Sequence, residues 1–479
     1  MGCRNENIKK EGNMSGINEV DIKNGMDALN SFGTRLTASE GHKAFVKYIK
    51  DEIVKMGLEP VSSFKKFNRW TATNSKVVLH TKDGDIDVKV SSEFPYSGET
   101  PKEGVTGKLT KGGLCKSKDI VVLEIKDLGK ISSKIAFNQR NAFPSDLKLA
   151  KYYKGPVAAS FVHGLSVPVQ AAFGAKACIC IWEGMSDEMV EGQYLNFILK
   201  YLKMPTVWVN ETEGKKVLDA LKEKATVTVT LEADIEKDAE GESVYAVIEG
   251  ENKEECVIIN THTDGTNCVE ENGPIGMLSM MKYFLENKPK RTLVFAFVCG
   301  HFRLASFTHK YSLVDQSTSW WLYTHKELWN GKNGNLKAIA GVTLEHFGCT
   351  EWKDVDGKYM KTNDVDIEVV YTGNKVVDEI YYKALEGRTK VRTVTLHPHN
   401  FLHFGEGQSL FNVGIPDVAL VTAPDYLCVV SGTNEFDKFD YDLMVEQVKT
   451  FTKVVELINE KTAKEIGKAQ KYSIGLGKI

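Results

Sequence analysis

The residues whose types and spacing suit metal binding or proton transfer gather in the second half of the chain. The stretch CVIINTHTDGTNCVEENGPIG, from Cys256 to Gly276, carries His262, Asp264, Glu270 and Glu271. It starts as the apolar run Cys256-Val257-Ile258-Ile259, the pattern of a strand buried on both faces of a parallel sheet. It ends at Pro274, which suits the first position of a helix. Two later apolar runs also end in ligand-type residues, Cys299-Gly300-His301 and Glu345-His346, and His397, His399 and His403 follow a further run ending at Leu396. Parallel strands place their C-terminal ends on one rim of a sheet, where open α/β sheets bind ligands. More than half of the eleven histidines stand at or just beyond such ends. Imidazole with carboxylate and no thiolate suits one or two divalent metal ions, zinc first, with manganese or iron as further options. The candidate ligands are His262, Glu271, Glu345, His301, His346 and His403. Asp264 is placed to orient the His262 ring, and Glu270 or His301 to take a proton from water.

The elements that must position these groups follow from periodicity. After Gly250 strands and helices alternate, as in a parallel sheet with crossover helices. Strands are expected at Cys256–Asn260, Thr292–Val298, Ile339–Leu344, Asp366–Tyr371, Arg392–Leu396 and Asp417–Val421. Helices are expected at Pro274–Glu286, Lys375–Leu385 and Tyr441–Asn459. Earlier, helical spacing covers Asn18 to Gly33. Thr37-Ala-Ser-Glu40 has the form of a capping box ahead of a second helix with Phe45, Ile49, Ile53 and Met56 on one face. Lys76 to Lys89 reads as a hairpin around Asp83-Gly84. From about 97 to 234 the chain changes to short strands (Asp119–Ile125, Ala177–Trp182, Thr206–Asn210, Thr226–Leu231) and small helices (Ser145–Tyr153, Ser166–Phe173, Glu213–Lys222), the look of an inserted module. The expected division is therefore a leader over 1–16, a main α/β domain over 17–96 and 235–479, and an insert over 97–234.

Composition bounds the function. The chain has 479 residues, enough for two or three domains, and 61 basic against 64 acidic residues leave a net charge of −3. That balance offers nothing to nucleic acid or an anionic membrane. No apolar run reaches the length of a bilayer span. The first residues lack the apolar core of a signal peptide. Nine scattered cysteines without CxxC pairs point to reduced thiols and a cytoplasmic setting. Cys178 and Cys180 read as strand packing.

At these residues the chain resembles the zinc-dependent exopeptidases of the glutamate carboxypeptidase and bacterial leucyl aminopeptidase type. GTRLTASEGHKAFVKYIKDEIVKMGLE is similar to that family's first helices. DIVVLEI, AAFGAKACICIWEG and MPTVWVN are similar to a protease-associated domain. THTD resembles the motif in which a histidine binds metal and an aspartate orients it, which implies those roles for His262 and Asp264. The resemblance implies that Glu271 of EENGPIG stands at the family's bridging aspartate and Glu345 of TLEH at a later aspartate ligand. It departs from the family where a glutamate pair is expected, since His301 and Phe302 stand there. Near the final histidine ligand the chain has Gly432. The resemblance implies a mixed, mainly parallel sheet with helices on both faces, plus a smaller β-rich insert.

The reading that follows is a metal-dependent hydrolase of an amide bond in a short peptide or acylated amine, with a rearranged site. Two alternatives stay open: a non-catalytic binding or regulatory protein on the same fold, and a metal-dependent lyase or isomerase using the same rim. The expected partner is a small-molecule or short-peptide substrate, with neither nucleic acid nor membrane. A homo-oligomer is left open.

Overall fold

The computed structural model describes residues 16–112, 119–128, 138–150, 155–311, 315–398, 403–430 and 435–470. The expected leader up to residue 15, His399 and Gly432 lie outside them. Four central strands, Arg291–Val298, Asn252–His262, Lys337–Glu345 and Asp417–Val421, run parallel in that spatial order. Thr226–Ile248 flanks them antiparallel on the Arg291–Val298 side. On the other side Glu368–Thr372 pairs antiparallel with Asp417–Val421, and Thr393–His397 continues parallel to it.

The continuous apolar runs become strands buried on both faces because each residue along them turns to the opposite side of the sheet. Val257, Ile259, Leu293, Phe295 and Phe297 join one core, against helices Glu19–Ser31, Gly273–Glu286, Lys375–Ala384 and Tyr441–Glu460. Cys256, Ile258, Val294, Ala296 and Val298 join the other, against Thr318–Thr324 and Gly407–Asn412. The sheet is thus mixed and mainly parallel in its centre, with helices on both faces. His262, Glu345 and the turn after Val298 end up on one rim, as the strand ends require.

The expected hairpin forms, with Thr81 opposite Gly84, but its first strand reaches back to Val61. It pairs with Thr226–Ile248 along nearly its whole length. Residues 61–76 are largely solvent-facing and polar, so no apolar alternation announces them. At the second helix the cap is Ser39, whose hydroxyl accepts the His42 N–H. The capping box expected from Thr37 does not form, because the Thr37 hydroxyl donates to Asp264 at 2.6 Å.

Within the region read as an insert, Val105–Lys111, Ile120–Lys126, Ala177–Glu183 and Thr206–Val209 build a sheet. It joins the main sheet because Val105–Lys111 also pairs with Thr226–Ile248. The Trp182 and Trp208 rings stack at 4.0 Å in its core, a large apolar contact that fixes the sheet against its covering loops. Two features cross the expected boundaries. Ser92–Glu93 pairs with Thr206–Val209, and Asn138–Phe143, within the span read as an insert, forms an edge strand of the main sheet beside Thr393–His397. Residues 145–150 are not helical. No helix among the described residues is long and apolar enough to cross a membrane.

Candidate metal centre

Three imidazoles meet at the rim, and each is held by one nitrogen only. His262, the last residue of its strand, donates from Nδ1 to the main-chain oxygen of Asp264 at 2.9 Å. His346, the first residue after its strand, sits at φ 59° and donates from Nδ1 to the Thr422 carbonyl at 2.6 Å. His301, in the turn after Val298, is bonded through Nδ1 to the Glu406 carboxylate at 2.7 Å. Carbonyl and carboxylate oxygens only accept, so Nδ1 carries the hydrogen and Nε2 is turned to the interior. Tying the remote nitrogen in this way orients a metal-binding histidine.

The three Nε2 atoms surround Glu270. They lie 3.7 Å (His262), 3.6 Å (His346) and 4.0 Å (His301) from its Oε1. These separations exceed a hydrogen bond and approach the roughly 3.3 Å that neighbouring ligands of one tetrahedral zinc keep. Glu345 Oε2 is 4.0 Å from His346 Nε2. Two overlapping triads, His262–Glu270–His301 and His262–Glu345–His346, each have their ligand atoms within 4.8 Å of one another. The residues pass the test of fit for a metal: His262 Nε2, His346 Nε2, Glu270 Oε2 and Glu345 Oε2 are all buried without a hydrogen-bond partner. Leaving so many buried polar atoms unmatched is costly unless something else satisfies them.

Burial sets the electrostatics. It pushes Glu345 up to about 8, and burial with the neighbouring carboxylates Glu271, Asp264 and Glu345 raises Glu270 well above the usual range. Burial, aided by His301, drives His262 down to about 3, and His346 falls well below its ordinary value for the same reason. His301 departs from this pattern. Burial opposes its charged form, but the Glu406 carboxylate overrides burial and lifts the imidazole above its ordinary value. Burial likewise opposes ionisation of Glu406, yet His301 and the Thr318 N–H hold it at about 2.

Some expected roles change. The Asp264 carboxylate does not touch the His262 ring; its oxygens accept the N–H groups of Gly300 (2.8 Å), His301 (3.2 Å) and Phe302 (3.0 Å) and the Thr37 hydroxyl. It therefore anchors the turn that presents His301, and only its carbonyl orients His262. Glu271 faces Arg35 in a fully buried ion pair, so that guanidinium and not a metal meets its Oε1. His403 is no ligand. Its Nε2 is bonded to Asp417 at 2.8 Å, its Nδ1 to the Phe404 carbonyl, and its ring stacks on Tyr371. His397 bonds Arg140 through Nδ1 at the far edge of the sheet. Replacing His403 with Gln should therefore leave metal content unchanged while lowering the melting temperature, as metal analysis and thermal melts will show.

Several residues that build the centre have no signature in the sequence. Glu406 accepts from His301, from Ser317 at 2.8 Å and from the Thr318 N–H at 2.7 Å, and its own N–H donates to Glu345 Oε1 at 2.6 Å. Asn267 accepts the N–H groups of Val269 and Glu270 and donates to carbonyls of Leu427 and Val429, which ties the Glu270 loop to residues 427–429. Asn272 makes a reciprocal pair of 2.8 Å bonds with the Phe347 main chain. Gly265 lies against both glutamates: a Cβ there would fall 1.7 Å from Glu271 Oε2 and 2.3 Å from Glu270 Oε2. From the region read as an insert, Phe197 packs against the rings of His301 (5.7 Å) and Phe302 (4.5 Å).

No family model matches the chain, and no curated protein sequence does. Solved structures do match its fold. An aminopeptidase from Aneurinibacillus sp. strain AM-1 superposes with TM-score 0.62 at 16% identity, over 97% of this chain and 97% of that one. A peptidase M28 precursor from Shewanella amazonensis SB2B gives TM-score 0.61 at 12% identity, over 92% and 95%. BSAP, a zinc aminopeptidase from Bacillus subtilis, gives 0.59 at 13%, over 94% and 98%. The chain thus shares the overall fold of these aminopeptidase and peptidase structures at 12–16% identity.

Proposed function

We propose that this chain is a metal-dependent hydrolase cleaving an amide bond in a short peptide or acylated amine. The observation that carries the reading is the convergence of three Nε2 atoms on Glu270, each imidazole tethered from behind. His262, His346, Glu270 and Glu345 would hold a divalent metal, zinc being the choice that imidazole and carboxylate suit best. A metal bound there supplies Lewis acidity, polarising a carbonyl and acidifying water. His301 is the proton carrier: it is the most exposed member of the centre, at 8%, and Glu406 stabilises the imidazolium it becomes on taking a proton from water. The same imidazolium then returns that proton to the leaving amine. His301 thus fills the part that a glutamate plays in the family the sequence resembles. The insert, over about 97–234, is read as a protease-associated-like domain covering the site, supported by the packing of Phe197 on His301. The free, buried cysteines among the described residues support a reducing, cytoplasmic setting.

The test is turnover of a panel of aminoacyl amides, dipeptides and acylated amines by protein whose metal content has been measured. Hydrolysis that chelator removes and zinc restores is the expected result. Metal-loaded protein that cleaves nothing in the panel would overturn the hydrolase reading, and metal-free, fully folded protein would overturn the metal reading.

A further inference from the structure

Resting on that reading of a metal centre, we infer that the site is built for a single divalent cation, with the Arg35 guanidinium acting as permanent counter-charge to Glu271. Five carboxylates are buried around the rim: Asp264, Glu270, Glu271, Glu345 and Glu406, none more than 1% exposed. Buried charge must be matched, and the protein matches three of them itself. Asp264 is surrounded by three N–H groups and the Thr37 hydroxyl. Glu406 is held by His301, Ser317 and the Thr318 N–H. Glu271 is paired with Arg35, whose side chain is itself fully buried and anchored on the carbonyls of Leu29 and Gly33.

Two carboxylates remain. Glu270, Glu271 and Glu345 each keep an Oε2 without a hydrogen-bond partner, but Glu271 has the Arg35 guanidinium on its other oxygen, whereas no lysine or arginine lies within ion-pair distance of Glu270 or Glu345 among the described residues. Two carboxylates without a cationic side chain match the charge of one divalent ion, and the third free oxygen, Glu271 Oε2, belongs to a carboxylate whose counter-charge is already Arg35. Arg35 also stands where a second cation would meet Glu271. The bond from the Gly265 N–H to the Arg35 carbonyl at 3.0 Å fixes the main chain of Arg35 to the same loop, and the Leu29 and Gly33 carbonyls hold its guanidinium against Glu271.

The experiment is a titration of the full chain, stripped with chelator and carrying no histidine tag, with zinc alone. Calorimetry and metal analysis after dialysis read the stoichiometry. Wild-type protein should take up a single equivalent. Glu271→Gln should keep that equivalent with affinity changed only a few-fold, whereas Glu270→Gln should weaken binding by about 100-fold or more. Because Glu271→Gln leaves Arg35 unpaired and can compromise folding, the double variant Arg35→Gln/Glu271→Gln, which removes both charges together, should also bind one equivalent. Two equivalents in the wild type, or a Glu271→Gln loss as large as that of Glu270→Gln, would overturn the inference while leaving a metal centre standing. No zinc uptake by folded wild-type protein would overturn the metal reading itself.

Discussion

Glu270→Gln is expected to invert the order of stability between metal-free and metal-loaded protein. In the metal-free state Glu270 is a buried carboxyl facing three imidazole nitrogens that neither neutralise it nor bond it. Its pKa stands well above that of an unfolded glutamate, through burial and the carboxylates around it. The sign of the linkage follows. At neutral pH the folded protein holds a proton that the unfolded chain has released, so stability falls as pH rises above about 4.5. Glu345, pushed up to about 8, adds the same slope, which closes near that pH. A neutral amide in place of Glu270 removes its share of the penalty and should raise the stability of chelated protein by about 1–3 kcal/mol. With zinc the order reverses, since a ligand at about 1,000 times its Kd stabilises the wild type by roughly 4 kcal/mol and the variant cannot hold it well. Thermal melts with chelator and with zinc, across pH 5 to 8, check both halves. A Glu270→Gln protein less stable than wild type in chelator would show that the folded chain itself satisfies Glu270.

Glu406→Gln is expected to reduce turnover by about 10²- to 10⁴-fold while leaving the metal in place. The glutamate touches no metal-facing nitrogen; it holds His301 from behind and sets the imidazole's affinity for a proton. An amide of the same shape keeps a partner for the Ser317 hydroxyl and the Thr318 N–H, so the cost in stability should stay near 1–3 kcal/mol. Without the carboxylate, burial alone governs His301 and lowers its pKa. A base works only when deprotonated, so the acidic limb of the kcat/KM profile should move to lower pH in the variant. A purely structural role for Glu406 would lower activity without that shift. An unmoved limb would therefore remove His301 as the proton carrier.

Much of the scaffold was legible because its signals are local. The strands around Val257–Ile259 and Leu293–Val298 announce themselves by uninterrupted apolar runs, since both faces of a central parallel strand are covered. The helices Gly273–Glu286, Lys375–Ala384 and Tyr441–Glu460 fall within a residue or two of their expected ends. Residues 61–75 of the long ribbon, ahead of the expected hairpin, and the edge strand Asn138–Phe143 were not legible. Their stability comes from hydrogen bonds to a distant partner strand, and their exposed sequences carry no apolar alternation.

The candidate site divides along the same line. The sequence by itself placed His262, His301, Glu345 and His346 at the ends of three strands successive along the chain, because a strand's length and direction place its last residue whatever the side chains do; that these strands are neighbours in the sheet is a tertiary result. Tertiary structure alone decided which of the ligand-type residues face one another. It turned Glu270 inward and set Glu271 against Arg35, two adjacent glutamates with opposite fates that no spacing rule separates. It took His403 away to Asp417, and it brought Glu406 from more than a hundred residues away to hold His301. The physical reason is that secondary structure is written in short-range periodicity, whereas the pairing of buried charges depends on which groups the completed fold brings within reach. The stretch from Cys256 to Gly276 could therefore supply the strand, the histidine and both glutamates, but not the choice between them.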